Sequence, residues 1–179
     1  CTQGEVVKDR FHVVAIGYGD HVDSAWSGPL AGRGVVLLSE LANAPVDTEK
    51  RIKKVPDGAG GVVEIEVDFP IWIAPKDSGR TNMPEAIKLM TSHVTPWVDK
   101  YVDSHPPVIM NFTDGASTHG SPDSEVEKLK ATGTKDGNTL FLSCHISSEP
   151  KAVLVEYPDT TATLPSIPFA VDLFNLSSV

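Results

Sequence analysis

Apolar and polar positions recur along this chain in two rhythms, and the rhythms predict its elements. Residues 11–18 are apolar on both alternating faces and stop at the breakers Gly19 and Asp20. That pattern predicts a strand covered on both sides, as in a parallel sheet between helices. Residues 35–38 predict a short strand, after which Ser39 is placed to cap a helical turn through Ala42. Residues 57–61, an Asp followed by three Gly and one Ala, predict a flexible turn between two arms of a hairpin. The second arm, 62–67, alternates apolar and acidic residues and so reads as an edge or half-exposed strand. Pro70 keeps the following apolar piece, 69–73, off a sheet centre.

The helical rhythm is clearest over 84–102. Met83, Ile87, Met90, Val94, Val98 and Val102 recur at three and four. Pro84 suits the first turn, and Pro96 predicts a kink near Thr95. The apolar run from Val108 to Phe112 then stops at Thr113-Asp114-Gly115. This predicts a buried central strand that delivers a carboxylate to a tight turn at its C-terminal edge. In an open α/β sheet, ligands sit in the crevice beyond that edge. A charged helix over 122–132 with Ser121 as cap, a strand over 139–146, a short strand over 152–156 and an amphipathic helix over 168–177 complete the pattern. Strand and helix alternate, which predicts an α/β fold: a doubly wound, mostly parallel sheet flanked by helices, in one domain spanning 1–179.

Composition narrows the functions. Fifteen basic against 24 acidic residues leave a net charge of −9. That argues against non-specific nucleic-acid binding, which needs clustered Lys and Arg. Arg51, Lys53 and Lys54 form one short basic cluster, read as a solvated loop or edge strand. No apolar run reaches the roughly eighteen residues of a membrane span. Two cysteines, Cys1 and Cys144, make neither a disulfide framework nor a zinc site. A reducing, cytoplasmic setting is the default expectation.

Candidate chemistry gathers in two loops. One is 77–84, with Asp77, Ser78, Gly79 and Thr81. The other is the turn after Phe112, with Asp114, Ser117 and Thr118. Together they offer a threonine hydroxyl and an aspartate as oxygen ligands for a hard cation. Ser117 and Thr118 themselves read as turn formers. His119 and His145 lack a second histidine at ligand spacing, and Trp26, Trp72 and Trp97 read as core or interface anchors.

At three places the chain resembles the von Willebrand factor A domains, in particular their bacterial intracellular members: the strand end Gly17-Tyr18-Gly19, the Gly79-x-Thr81-x-Met83 loop, and the Val108 to Gly115 strand with its Thr-Asp-Gly. The resemblance implies a metal-ion-dependent adhesion site for Mg2+ or Mn2+. Thr81 would ligate directly, and Asp114 directly or through a water. Hydroxyl ligands leave such an ion electrophilic, so an exposed carboxylate on a protein partner can complete its six-oxygen shell. The implied function is a protein–protein interaction module.

One departure stands out. The family's first loop, Asp-x-Ser-x-Ser, occurs nowhere in the sequence; residues 23–27 and 114–117 come nearest, with the wrong spacing. The resemblance therefore implies a missing first strand and most of a first helix, supplied by another polypeptide segment. The alternative is that another element of the chain fills the gap and the metal site is degenerate. Two enzyme readings also remain. One is phosphoryl transfer or hydrolysis at Asp114, with Asp20 as the second strand-end acid. The other is an N-terminal-nucleophile hydrolase using Cys1, which the alternation of strand and helix does not fit.

Overall fold

The computed structural model describes residues 2–3, 6–76, 79–150 and 152–178. In chain order the strands are β1 (Thr2–Gln3), β2 (Val6–Val7), β3 (His12–Val13), β4 (Ile16–Tyr18), β5 (Val22–Ser24), β6 (Val36–Leu37), β7 (Asp47–Pro56), β8 (Val62–Ile71), β9 (Val108–Thr113), β10 (Gly133–Thr134), β11 (Gly137–Asn138) and β12 (Leu140–His145). The helices are α1 (Leu38–Asn43), α2 (Met83–Lys100), α3 (Asp123–Lys130) and α4 (Ala170–Leu176). No helix among the described residues is long and apolar enough to cross a membrane.

The doubly wound, mostly parallel sheet expected from the sequence does not form. Among the described residues the strands make six two-stranded sheets, and only the β9–β12 pair is parallel. The physical reasons are local. The apolar run 11–18 breaks at Val14 and Ala15 into β3 and β4. β3 pairs antiparallel with β6, and β4 pairs with β5 just after it. The two longest strands, β7 and β8, close on each other antiparallel through the 57–61 turn, where a parallel pair would need a long crossover. Asp57 holds that turn by accepting the N–H groups of Ala59 and Gly61, each at 2.8 Å. The short strand expected over 152–156 is absent, and that segment is irregular.

The contacts divide the chain into two compact units. Unit 1 comprises Cys1–Gly17 and Asp23–Asp77; unit 2 comprises Tyr18–Val22 and Ser78–Val179. Unit 1 centres on Trp26, Leu30 and Val36, with Trp72 packed alongside and its indole N–H donating to the Leu41 carbonyl at 2.6 Å. Ser39 is not the cap of α1. It lies inside the helix, and Asp9 receives its N–H at 2.8 Å and its hydroxyl at 2.9 Å. The first turn is closed instead by Glu40, which accepts the Leu37 N–H at 2.8 Å and pairs with Arg33 at 2.7 Å.

Unit 2 is a parallel strand pair with helices on one face. Met83, Ile87, Val94 and Val98 of α2, Val126 and Leu129 of α3, and Leu173 and Leu176 of α4 bury Ile109 and Phe141. Each such side chain contributes about 1.5–3 kcal/mol by leaving water. Asn82 caps α2, its side chain accepting the Glu85 N–H, and the helix runs unbroken through Pro96.

The strand β9 departs from its expectation in a telling way. Its apolar run predicted burial on both faces, but burial alternates. Ile109, Asn111 and Thr113 face the helices, whereas Val108, Met110 and Phe112 are 51, 62 and 59 % exposed. Leu140 and Leu142 of β12 are exposed on the same side.

Candidate functional site

The site is built at the C-terminal end of β9, where three loops of unit 2 meet. Thr113 ends the strand and holds the turn after it, its hydroxyl donating to the Gly115 carbonyl at 2.9 Å. That leaves the Asp114 side chain in solvent. Downstream, the loop is tied to the segment before α2 by a reciprocal pair. The Thr118 N–H donates to the Thr81 carbonyl at 2.9 Å, and the Thr81 N–H donates to the Thr118 hydroxyl at 3.0 Å. Ser117 adds a hydroxyl contact to the same carbonyl at 3.3 Å. The third loop, after Tyr18, joins through the Asn82 N–H, which donates to the Gly19 carbonyl at 3.1 Å.

Asp20 sits at the tip of this last loop, 3.8 Å from the Arg80 guanidinium. Gly79 is required beside it. Its φ is +76°, and a Cβ there would stand 3.1 Å from the Asp20 carboxylate. Beneath the loops, the Tyr18 hydroxyl donates to Asn111 Oδ1 at 2.6 Å. Asn111 is buried on the helix-facing side of β9, so this bond satisfies an otherwise costly polar group. Burial pushes the Tyr18 pKa up against the lowering influence of Thr113, and the Asp114 charge pushes it the same way as burial.

Thr81 and Asp114, read from the sequence as cation ligands, thus belong to loops that the fold joins. The Thr81 hydroxyl and the Asp114 carboxylate make no hydrogen bond to any described residue. Both oxygens are open to a ligand, and both are hard donors of the kind Mg2+ takes. The hydroxyls of Ser117 and Thr118 are turned to the Thr81 carbonyl, so they brace the loops. Asp77 and Ser78 lie outside the described residues, as does Cys1. Among the described residues there is no cluster of three or more His, Cys, Asp or Glu side chains able to hold a metal. A hard cation held by a mixed hydroxyl–carboxylate shell, completed by water and a partner, does not need such a cluster.

The remaining candidates separate from the site. Cys144 is a free, exposed thiol on β12. His145 ends the same strand, opposite Thr113, with its Nδ1 buried and unpartnered. His119 lies against the Thr118 hydroxyl at 3.2 Å. Arg51, Lys53 and Lys54 are on the β7–β8 hairpin. For the phosphoryl-transfer reading, the cation found beside Asp20 is Arg80, and no described lysine pairs with Asp20 or Asp114.

Sequence reasoning missed the structural roles of Tyr18, Asn111 and Thr118. A signal for Asn111 was present, since a lone amide inside an apolar strand demands a partner. Nothing in the spacing identified Tyr18, 93 residues away, as that partner.

The second feature of the site is the strand edge that leads to it. The Leu140 N–H donates to Pro107 and the Ile146 N–H to Thr113. In this parallel register the backbone groups of Ile109, Asn111 and Thr113 therefore face β12. Those of Val108, Met110 and Phe112 point to the other edge, where no described strand pairs and the Tyr18 hydroxyl reaches the Phe112 carbonyl at 3.3 Å. The outer edge of β12 is closed differently. Phe141 and Ser143 donate their N–H groups to the hydroxyls of Ser178 and Ser177, each at 3.0 Å.

Comparison of the chain with protein-family models, with curated proteins and with solved structures finds no match.

Proposed function

We propose that unit 2 is a protein-interaction module that completes its two-stranded sheet with a strand from another polypeptide segment. The strand lies along β9, and apolar residues of the same segment cover the bare face. The loops at the strand end then hold Mg2+ or Mn2+ through Thr81 and Asp114, and the ion receives a carboxylate of a protein partner. The observation that carries this reading is β9 itself. One strand presents both an unpaired edge and three exposed large apolar side chains, Val108, Met110 and Phe112. Native proteins normally cover such an edge or blunt it with charge or proline; here no described strand covers it, and only the Phe112 carbonyl at its end meets a described side chain, the Tyr18 hydroxyl. Strand addition satisfies the edge's backbone groups while side chains at alternate positions supply specificity.

The cation part follows from donor chemistry. Two protein oxygens fill a minority of an octahedral shell, which leaves positions for water and an incoming acid. No general base or activated nucleophile is needed, so the module recognises rather than reacts.

Native mass spectrometry of the protein isolated from its own source tests the reading, paired with hydrogen exchange. The expected result is a second polypeptide segment that remains bound and protects the Val108, Met110 and Phe112 amides. Met110→Asp should release it. In the assembled species, Mn2+ should broaden the amide resonances of Thr81 and Gly115, and Thr81→Ala or Asp114→Ala should abolish that broadening without unfolding the unit. A lone, folded chain whose β9 amides are protected without a partner would overturn the strand proposal. Unchanged Mn2+ broadening in both variants would overturn the metal site.

A further inference from the structure

Among the described residues, the three large apolar side chains most open to water fall within five positions of one another. Val153, Leu154 and Tyr157 are 72, 80 and 96 % exposed. They belong to the run 152–157, Ala-Val-Leu-Val-Glu-Tyr, which carries one charge and neither Gly nor Pro. Such a run has the composition of a segment that adds readily to a strand edge. It forms no strand in its own chain, where Ala152, Val153 and Val155 line a cavity with Pro165, Ile167 and Pro168. Tyr157 is held there at φ +50°. That left-handed conformation costs a bulky residue about 1–3 kcal/mol, which an extended strand conformation would remove.

One edge of unit 2 matches this run in length and polarity. β9 has six residues and no charge, and its outer edge pairs with no described strand. The other long strands offer less. β7 and β8 are charged along their length, and the outer edge of β12 is met at Phe141 and Ser143 by the Ser178 and Ser177 hydroxyls. The remaining strands have two or three residues. On β9 the Tyr18 hydroxyl reaches only the Phe112 carbonyl, so the groups left to a partner run from Val108 to the Phe112 N–H.

We infer that two copies of this chain exchange these segments, 152–157 of each lying as a strand on the β9 edge of the other. The inference rests on the strand-adding reading above and names the segment that adds. Each copy carries one donor run and one acceptor edge, so reciprocal exchange closes as a two-fold dimer. Covering one side chain of this size removes about 60–120 Å² from water, the area equivalent of its transfer free energy. With Val108, Met110 and Phe112 on the edge and Val153, Leu154 and Tyr157 on the run, each junction covers at most about 250–500 Å² of side chain. Two junctions then cover about 500–1,000 Å², short of the roughly 1,200 Å² of a standard interface. The dimer therefore depends on backbone pairing at both junctions and dissociates on dilution.

Sedimentation equilibrium of the full chain should show a reversible monomer–dimer equilibrium. In dimers of mixed isotope labelling, filtered NOEs should connect Leu154 and Tyr157 of one copy to Val108 and Met110 of the other. Leu154→Lys/Tyr157→Lys alters the donor run alone, and Met110→Asp alters the edge alone. Each should weaken the dimer at least tenfold while leaving the amide spectrum of the Phe141 core unchanged. Mixed together, the two variants should associate again through their one intact junction. A chain that stays monomeric at every concentration with open β9 amides would overturn the exchange; strand addition itself would stand if a different polypeptide occupies β9 in protein from its own source. A lone monomer with protected β9 amides would overturn both. Failure of the mixed variants to associate, with the parent chain dimeric, would put the contact elsewhere and overturn the exchange.

Discussion

Two phenylalanines on neighbouring strands give a sharp test of how unit 2 is built. Phe141 on β12 is wholly buried among the helices, whereas Phe112 on β9 faces out and is 59 % exposed. Truncating Phe141 to alanine removes a ring from a packed core and leaves a cavity, at a cost of about 3–5 kcal/mol. Truncating Phe112 forfeits only the covered part of its side chain. Four-tenths of a full burial worth about 1.5–3 kcal/mol gives roughly 0.6–1.2 kcal/mol, with no cavity term because water fills the space. Hydrogen exchange of the β9 and β12 amides reads the stability of unit 2 at its own strands. At 1.4 kcal/mol per tenfold, Phe141→Ala should speed exchange of the most protected amides by about two to four decades. Phe112→Ala should speed it by about one decade or less. If the two variants cost the same in the isolated chain, Phe112 is packed in solution. The bare face would then be misassigned, and with it the basis for adding a strand there.

Other consequences follow from individual contacts. Tyr18→Phe should destabilise unit 2 by about 1–3 kcal/mol, because it leaves the buried Asn111 oxygen without its donor. The double variant Tyr18→Phe/Asn111→Leu should recover part of that loss, and a double variant worse than the sum of the singles would refute the pairing. The Asp9 carboxyl is held below the usual carboxylate range, chiefly by the Ser39 N–H and then by the Ser39 hydroxyl. A folded pKa below the unfolded value near 4 makes this contribution complete above pH 4 and lost as pH falls through the folded value. Asp9→Asn should therefore flatten the acid limb of unit 1 stability in a circular-dichroism titration; an unchanged limb would remove Asp9 from the account.

Much of the local structure was legible in the residues. The three-and-four spacing from Met83 onward specified α2, because a helix buries whichever stripe is apolar regardless of its partner. The breakers at 57–61 specified the hairpin turn, and the Thr113-Asp114-Gly115 stop located the end of β9. For the same reason, Thr81 and Asp114 could be singled out as oxygen donors on loops at element ends. These features depend on near neighbours, and the sequence carries near neighbours directly.

Only the tertiary structure decided which strands pair and which faces are covered. Alternation of strand and helix pointed to one parallel sheet, yet residues 11–18 split and paired with nearby strands, and β7 and β8 closed on each other. Pairing is settled by competition among partners distant in sequence, and short local hairpins won wherever a turn allowed them. The apolar run of β9 likewise could not report that Val108, Met110 and Phe112 face water, since both buried and bare apolar positions read alike. The bond between Tyr18 and Asn111, and the brace between Thr81 and Thr118, arise because the fold brings separate loops to one strand end. Their residues carry the donors and acceptors, but the proximity that makes them a candidate site is a property of the folded chain.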